Sequence, residues 1–495
     1  MVAAAALAVL AGVALRFIAP SALWLDEAQS VAIARSDLGG LFDALRQDGA
    51  PPLYYLLLHV WTSVFGTGAV AVRALSGLFG VLALVVAWLL GRRLGGPRVG
   101  TALTLLLASS PFAVRYASET RMYSLVVLLV LLGAAAVSWA VRRPGPWPVI
   151  AVGVSGAALL LTHYWAAYLL VVVGLLSLAG LRRHRAAAGR VLIGLALSAV
   201  LFLPWVPTLR WQLAHTGTPW AGAGGLASIT AALGGWQGGG QVAAVLLGNA
   251  LVVLAVLALV AVRDGDVVRL GISRSPARWA LLALSLGTLV VAGLVSLLTS
   301  SAVVARYTSV ALPAFLALVA LGVAGLPGRR TRAAVLALCV LAGLGLSAAH
   351  VGASRTQAAE VATALRSASA GDTVVFCPDQ LGPSVSRLAQ AGLDLVVYPD
   401  LGPADRVDWT DYAVRNRAAD PALVAARIAA RAGDHAVYVV TSRGYRVPSD
   451  ADCAALREAL TQLRGQPEQV VQRNPRTGEG MRVHRFPPSA HPVGP

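Results

Sequence analysis

Eleven apolar runs, each close to the ~20 residues needed to cross a hydrocarbon core, fill the first 350 residues of this 495-residue chain. They lie near 2–19, 69–90, 99–114, 122–140, 148–163, 165–181, 190–206, 241–262, 279–299, 308–326 and 333–350. Between them stand arginine clusters: Arg92/Arg93/Arg98, Arg142/Arg143, Arg182/Arg183/Arg185/Arg190, Arg263/Arg269/Arg274/Arg278 and Arg329/Arg330/Arg332. The clusters occupy every second loop, so the positive-inside rule makes those loops and the N-terminus cytoplasmic. The intervening loops, and everything after His350, are then extracytoplasmic. The first run lacks a basic flank and reads as a retained span rather than a cleaved signal peptide. The expected fold is an all-α polytopic membrane domain of about eleven helices over 1–351.

Charge supports that division. All 40 basic residues are arginine, and residues 1–350 hold 24 of them against 8 acids, while 351–495 hold 16 against 15. The net charge of +17 therefore belongs to the apolar part. Arginines dispersed between apolar runs are a membrane pattern and not a nucleic-acid footprint.

One apolar stretch is too short to join the series. Residues 52–65 (PLYYLLLHVWTSVF) cannot span without inverting every later loop, so they are expected as an interfacial or re-entrant helix in the first outer loop. Before them Leu38, Leu41, Phe42 and Leu45 recur at helical spacing opposite Asp37, Asp43 and Arg46, a short amphipathic helix on the outer surface. Residues 207–240 form a second large outer loop whose Trp211, Trp220 and Trp236 read as interfacial anchors and whose glycines suit either a closing segment or a loose one. From 352 to 495, helical stretches alternate with β-rich runs (DTVVF at 372–376, LDLVVY at 393–398, AVYVVT at 436–441). They predict a small extracytoplasmic α/β domain with a disordered Pro-rich tail. Cys377 and Cys453 can pair there if the compartment is oxidising, whereas Cys339 lies in an apolar run.

Acids are rare in 1–350. Asp264 and Asp266 fall among cytoplasmic arginines and read as solvated. Asp26, Glu27, Asp37, Asp43, Asp48 and Glu119 all fall outside, so the outer face is where a reaction would run. Asp26-Glu27, at a membrane boundary, either supplies a base for an attacking hydroxyl or opens a helix as a cap. Glu119, between Arg115 and Arg121, is either self-neutralised or part of an anion site. Arg306 can clamp a lipid phosphate or snorkel to headgroups; Arg73 is equally open. His163, beside Tyr164 and Trp165, reads first as a satisfied interfacial residue.

Taken in order, Leu25-Asp26-Glu27-Ala28, Pro51-Pro52-Leu53-Tyr54-Tyr55, Arg73, Glu119-Thr120-Arg121-Met122-Tyr123, Thr162-His163-Tyr164 and Arg306-Tyr307 resemble bacterial family 39-type glycosyltransferases. These are polytopic enzymes of the GT-C superfamily, akin to protein O-mannosyltransferases and the lipid A aminoarabinose transferase. The resemblance covers about 350 residues. It implies transfer of a sugar from a polyprenyl phosphate donor to a saccharide, lipid or protein hydroxyl on the extracytoplasmic side of the plasma membrane, with Asp26 as base, Glu27 in support and Glu119 as the second-loop acid. Arg121, Arg306 and Arg73 would hold the donor phosphate. Asp48, Tyr54, Tyr123, His163 and Tyr307 would line the substrate site. Some members place a divalent cation near the second acid, and the resemblance leaves that open for Glu27. One departure is clear: relatives often read His-Pro-Pro where Ala50 precedes Pro51 here, so Asp48 is the nearest polar substitute.

Two other classes compete. A flippase or transporter of lipid-linked saccharides would need ionisable groups deep in the spans, which are nearly bare of them. A non-catalytic envelope assembly protein would tolerate loss of Asp26 and Glu119. The residues do not identify the sugar or the acceptor.

Overall fold

The computed structural model describes residues 2–217, 226–264, 267–299, 303–442 and 450–488. Trp220, Asp266 and the residues after 488 lie outside them. The chain begins with α1 (Val2–Leu15), then three short helices, α2 (Leu25–Arg35), α3 (Leu38–Asp48) and α4 (Leu53–Phe65). Next come α5 (Ala69–Ser109), α6 (Pro111–Ala117), α7 (Tyr123–Arg142), α8 (Pro146–Leu160) and α9 (Ala166–Phe202). After them follow α10 (Val206–His215), α11 (Leu226–Trp236), α12 (Val242–Val260), α13 (Pro276–Leu282), α14 (Thr288–Thr299), α15 (Leu312–Gly325) and α16 (Arg329–Gly352).

All eleven apolar runs fall on these helices, but not one run to one helix. Helix α5 carries two runs and breaks at Gly95-Gly96, where Gly96 sits at φ 81° ahead of Pro97. Helix α9 carries two more and breaks at His184. Among the described residues, six helical segments are long and apolar enough to cross a membrane. Helices α1, α8 and α15, with 14, 15 and 14 residues, reach only about 21–23 Å at 1.5 Å per residue. Arginines of the basic loops cap neighbouring helix ends, where carbonyls lack partners. Arg190 donates to Ala140 and Val141 at the end of α7, Arg278 to Ala258 near the end of α12, and Arg332 to Leu326 after α15. Glycine allows the close packing of α12 on α15, since a Cβ on Gly322 would collide with the Leu254 carbonyl.

Helix α4 is one-sided. Tyr54, Tyr55, Leu58 and Thr62 are buried while Leu57, Val60, Val64 and Phe65 are exposed, an apolar outer face suited to lipid contact. Helix α3 departs from its expected stripe: Leu41 and Leu45 are buried, but Leu38 and Phe42 are exposed, and Asp37 caps the helix by accepting from Gly40 N–H at 2.9 Å. The described residues of the 207–240 segment are largely helical, which the glycine count conceals. Trp236 is no interfacial anchor: it is buried, donates to Thr308 Oγ1 at 2.7 Å and lies against Phe315. Trp211 packs under the Arg46 guanidinium, 4.2 Å from its ring.

Strands β1 (Ala261–Asp264) and β2 (Val267–Leu270) form a hairpin in one basic loop. After α16 come α17 (Ala358–Ala364), β3 (Thr373–Cys377), α18 (Gly382–Ser386), β4 (Asp394–Val397), α19 (Tyr412–Ala418), α20 (Pro421–Ala432), β5 (Val437–Thr441), α21 (Asp450–Arg464), β6 (Glu468–Val471) and β7 (Arg482–Phe486). They build a five-stranded sheet in the order β4-β3-β5-β7-β6, parallel across β4, β3 and β5 and antiparallel beyond. A disulfide joins Cys377 on β3 to Cys453 on α21, while Cys339 is a buried thiol.

Candidate active site

The loops without arginine clusters meet at one end of the bundle, under the C-terminal sheet. Helix α2 supplies the centre. Its N-cap, Trp24, makes no side-chain capping bond, and Asp26 and Glu27 sit in the first turn, where the helix dipole favours anions. Neither acid caps the helix, so that alternative falls away.

Glu27 is fully buried and closed. Arg73 binds it bidentately, Nε to Oε1 at 2.7 Å and Nη2 to Oε2 at 2.6 Å, and Thr120 N–H donates to Oε1 at 3.0 Å. Arg73 also donates to the carbonyls of Ala19, Ser21 and Ala22. A guanidinium has five N–H groups, and all five are engaged. The expectation that Arg73 holds a donor phosphate is therefore corrected: it locks Glu27 to the 19–22 turn. Glu27 likewise has no face left for substrate or a divalent cation. Among the described residues no three His, Cys, Asp or Glu side chains converge as metal ligands.

Asp26, one residue earlier, is open. Its carboxylate is 16% exposed, with Arg306 Nη1 at 3.4 Å and Arg121 Nε at 4.0 Å from Oδ2. Arg121 is steered by its other bonds, donating from Nη1 to Ser30 Oγ at 3.0 Å, the Asp26 carbonyl at 3.3 Å and Tyr55 OH at 3.4 Å. Arg306 stands on the 3₁₀ turn Ala305–Val310, beside the Tyr307 ring. Two cations thus face one partly open carboxylate without a close bidentate bond to it.

Other residues sort around this pair. Asp48, at the end of α3, accepts from Gln29 Nε2 at 2.9 Å and Tyr55 OH at 3.0 Å; burial raises its pKa, opposed by Arg121 and these bonds. Tyr54 and Tyr55 are both fully buried; Tyr54 bonds Ser76 Oγ at 2.9 Å, while Tyr55 turns toward Asp48. Tyr123, His163 and Tyr307 form a row of rings, with centroids 5.7 Å and 4.9 Å apart in turn. His163 Nδ1 accepts from Trp165 N–H at 3.2 Å. Burial, then the charges of Arg121 and Arg306, pushes the imidazole down to about 3, so it stays neutral and has no proton to give at neutral pH.

Glu119 is buried behind Arg115, whose Nε lies 3.3 Å from Oε1, while Arg121 turns the other way, toward Asp26. A second partner comes from beyond the last membrane helix. Arg355 donates to Ser118 O at 2.8 Å and Ser118 Oγ at 2.7 Å, and lies 3.7 Å from Glu27 and 3.9 Å from Glu119. Arg355 was not among the residues expected from sequence; its signal is a lone arginine directly after a membrane helix. Beside α3 opens a cleft of about 480 Å³ lined by Phe42, Asp43, Arg46, Leu161, Trp205 and Thr208.

Comparison with known proteins agrees with this architecture. Residues 49–208 match the family described as dolichyl-phosphate-mannose-protein mannosyltransferase. An ArnT from Cupriavidus metallidurans bound to undecaprenyl phosphate superposes with a TM-score of 0.56 at 16% identity, over 100% of this chain and 98% of that one. Its apo state gives 0.57 at 15% identity, over 97% and 96%. The arabinofuranosyltransferase AftD from Mycobacteria gives 0.53 at 15%, and there this chain spans only 40% of the larger protein. No protein of curated function matches the sequence. The chain therefore shares the fold of the ArnT and AftD structures, and its residues 49–208 resemble the mannosyltransferase family.

Proposed function

We propose that the protein is a membrane glycosyltransferase that moves a sugar from a polyprenyl phosphate to an acceptor hydroxyl, with Asp26 as the base. The observation that carries this is the open Asp26–Arg121–Arg306 cluster at the membrane boundary. The undecaprenyl phosphate held by the similar ArnT supports the choice of donor. A lipid phosphate entering between the two guanidinium groups would gain charge-assisted bonds and leave Asp26 facing the anomeric carbon.

In that arrangement the acceptor hydroxyl loses its proton to Asp26 as its oxygen bonds the anomeric carbon. The bond to the phosphate oxygen breaks, and Arg121 and Arg306 receive the charge of the departing lipid phosphate. Carboxylate and rings beside an oxocarbenium-like centre stabilise it further. A single displacement inverts the anomeric configuration. Tyr55, Tyr307 and the neutral His163 line the sugar side, and the Phe42–Trp205 cleft suits a prenyl chain. Glu119 acts through Arg355 and Arg115 rather than on substrate.

The site and the sheet are read as extracytoplasmic in the plasma membrane. The basic loops opposite and the Cys377–Cys453 disulfide support that side. The flippase reading is disfavoured because the acids Asp26, Glu27, Asp48 and Glu119 gather at one end of the bundle. The test is transfer from radiolabelled polyprenyl phosphate mannose, glucose and arabinose in membranes, comparing wild type with Asp26→Asn. Transfer that falls by about 10²–10⁴-fold at equal protein level is expected for loss of a general base. Equal transfer by both proteins, or a product of retained configuration, rejects the mechanism.

A further inference from the structure

We propose that the C-terminal region is a working part of the site, because Glu479 caps the helix that carries Asp26 and sets where that carboxylate stands. The inference rests on the role given to Asp26 above. Helix α2 opens on Trp24, which has no side-chain acceptor for the free N–H groups of a first turn. The missing acceptor comes from 454 residues away: Leu25 N–H donates to Glu479 Oε1 at 2.7 Å. Glu479 is 3% exposed, so this is a bond made in a dry interface.

Glu479 is itself rigidly held. Its loop joins β6 to β7, and its backbone pairs with the segment after α16. Glu479 N–H donates to Arg355 O at 2.8 Å, and Gln357 N–H donates to Glu479 O at 3.0 Å. Gln357 fixes the rest of the loop by accepting from the N–H groups of Asn474 and Met481, both at 2.8 Å. The same segment reaches the membrane helices, with Arg355 N–H donating to Ser21 Oγ at 2.9 Å.

A second grip lies one turn further along α2. Gln29 accepts from Val407 N–H at 2.7 Å and donates to Val407 O at 2.9 Å, while its other N–H serves Asp48. Asp26 therefore sits between two points, residues 25 and 29, at which the C-terminal region holds its helix. A carboxylate flanked by two arginines at 3.4 and 4.0 Å is sensitive to small shifts of that helix, since misplacement of about 1 Å costs about 10²-fold in rate. Glu479 is thus a positioning residue.

The experiment uses the full-length protein in lipid nanodiscs, with Glu479→Ala, Glu479→Asp and Glu479→Gln. It reads two signals: hydrogen exchange of the peptide spanning 23–30, and kcat and KM with polyprenyl phosphate mannose, glucose or arabinose. Loss of a cap predicts about 5- to 10-fold faster exchange in Glu479→Ala. Glu479→Asp, one methylene too short, should match it. Glu479→Gln retains an acceptor oxygen and should stay within about twofold of wild type. Over the same series kcat should fall by about tenfold or more in the Ala and Asp variants with donor KM unchanged, and recover in Gln. Unchanged exchange in Ala and Asp overturns the cap, and faster exchange with unchanged kcat overturns the positioning role. A wild type that transfers from none of the donors overturns the transferase reading instead, and the exchange signal still decides the cap.

Discussion

Asp26 and Glu27 are adjacent on one helical turn, yet their surroundings are opposite. Glu27 is fully buried and bound bidentately to an arginine that has spent every N–H group, whereas Asp26 is 16% exposed between two arginines at 3.4 and 4.0 Å. A closed pair stores its interaction in the fold and offers nothing to a ligand. In the open cluster the Asp26 carboxylate has no bidentate partner, so a hydroxyl can approach it. Proximity of charges in a sequence is therefore a poor guide to chemistry, and saturation of their hydrogen-bond capacity is a better one.

The sharpest way to break this comparison is to neutralise each acid in turn. Asp26→Asn should abolish transfer by the 10²–10⁴-fold given above while leaving the thermal midpoint in detergent close to wild type. Glu27→Gln should do the reverse first, because removing one partner of a buried pair costs about 3–5 kcal/mol; its signature is loss of monodisperse protein on gel filtration. Replacing both partners with Glu27→Met and Arg73→Met should restore part of the stability, limited by the three carbonyls that Arg73 also serves. If Glu27→Gln is stable and inactive, the closed pair belongs to the chemistry and the distinction fails.

Smaller effects test the cationic side. Arg121→Lys and Arg306→Lys keep the charge but lose the fork that matches a phosphate. Each should lower kcat/KM for the lipid donor by about 10- to 100-fold, with the stability of the protein unmoved. An unchanged rate in both would place the phosphate elsewhere.

How far the sequence disclosed this molecule follows from which properties are local. Apolar runs and arginine loops are local, so the apolar helices were readable, the short Leu53–Phe65 helix among them. So were the β-rich runs that became Thr373–Cys377, Asp394–Val397 and Val437–Thr441. Strands Glu468–Val471 and Arg482–Phe486 were not, because their charged residues mask the alternation. Pairing is not local. Nothing near Arg73 shows that Glu27 and three carbonyls will consume it, and nothing separates Tyr54, turned to Ser76, from Tyr55, turned to Asp48. Arg355 and Glu479 stood in the part of the chain read as peripheral, and only the tertiary fold brings them to α2.

The weakest expected effect on transfer comes from a third buried acid, which has neither environment. Asp379 follows β3 and is 6% exposed; its carboxylate accepts from Tyr412 OH at 2.5 Å, and among the described residues no guanidinium lies within salt-bridge distance. Burial pushes its pKa up to about 7, partly offset by the tyrosine bond and the charge of Arg415. Between the ordinary carboxylate value, near 3.8, and that raised one, the folded protein keeps a proton that the unfolded chain has released. Stability therefore declines as pH rises through this window and is level above it. His484 works in the opposite direction: burial lowers it to about 4, so its contribution is lost as pH falls from about 6.5. The difference between wild type and Asp379→Asn isolates the acid from the histidine. The variant should melt on the order of a few degrees above wild type at pH 8, with the advantage shrinking toward pH 4 and transfer unchanged at every pH. An equal midpoint for both proteins at pH 8 would mean that Asp379 ionises at no cost, and that burial without a cation is not what distinguishes it from Glu27.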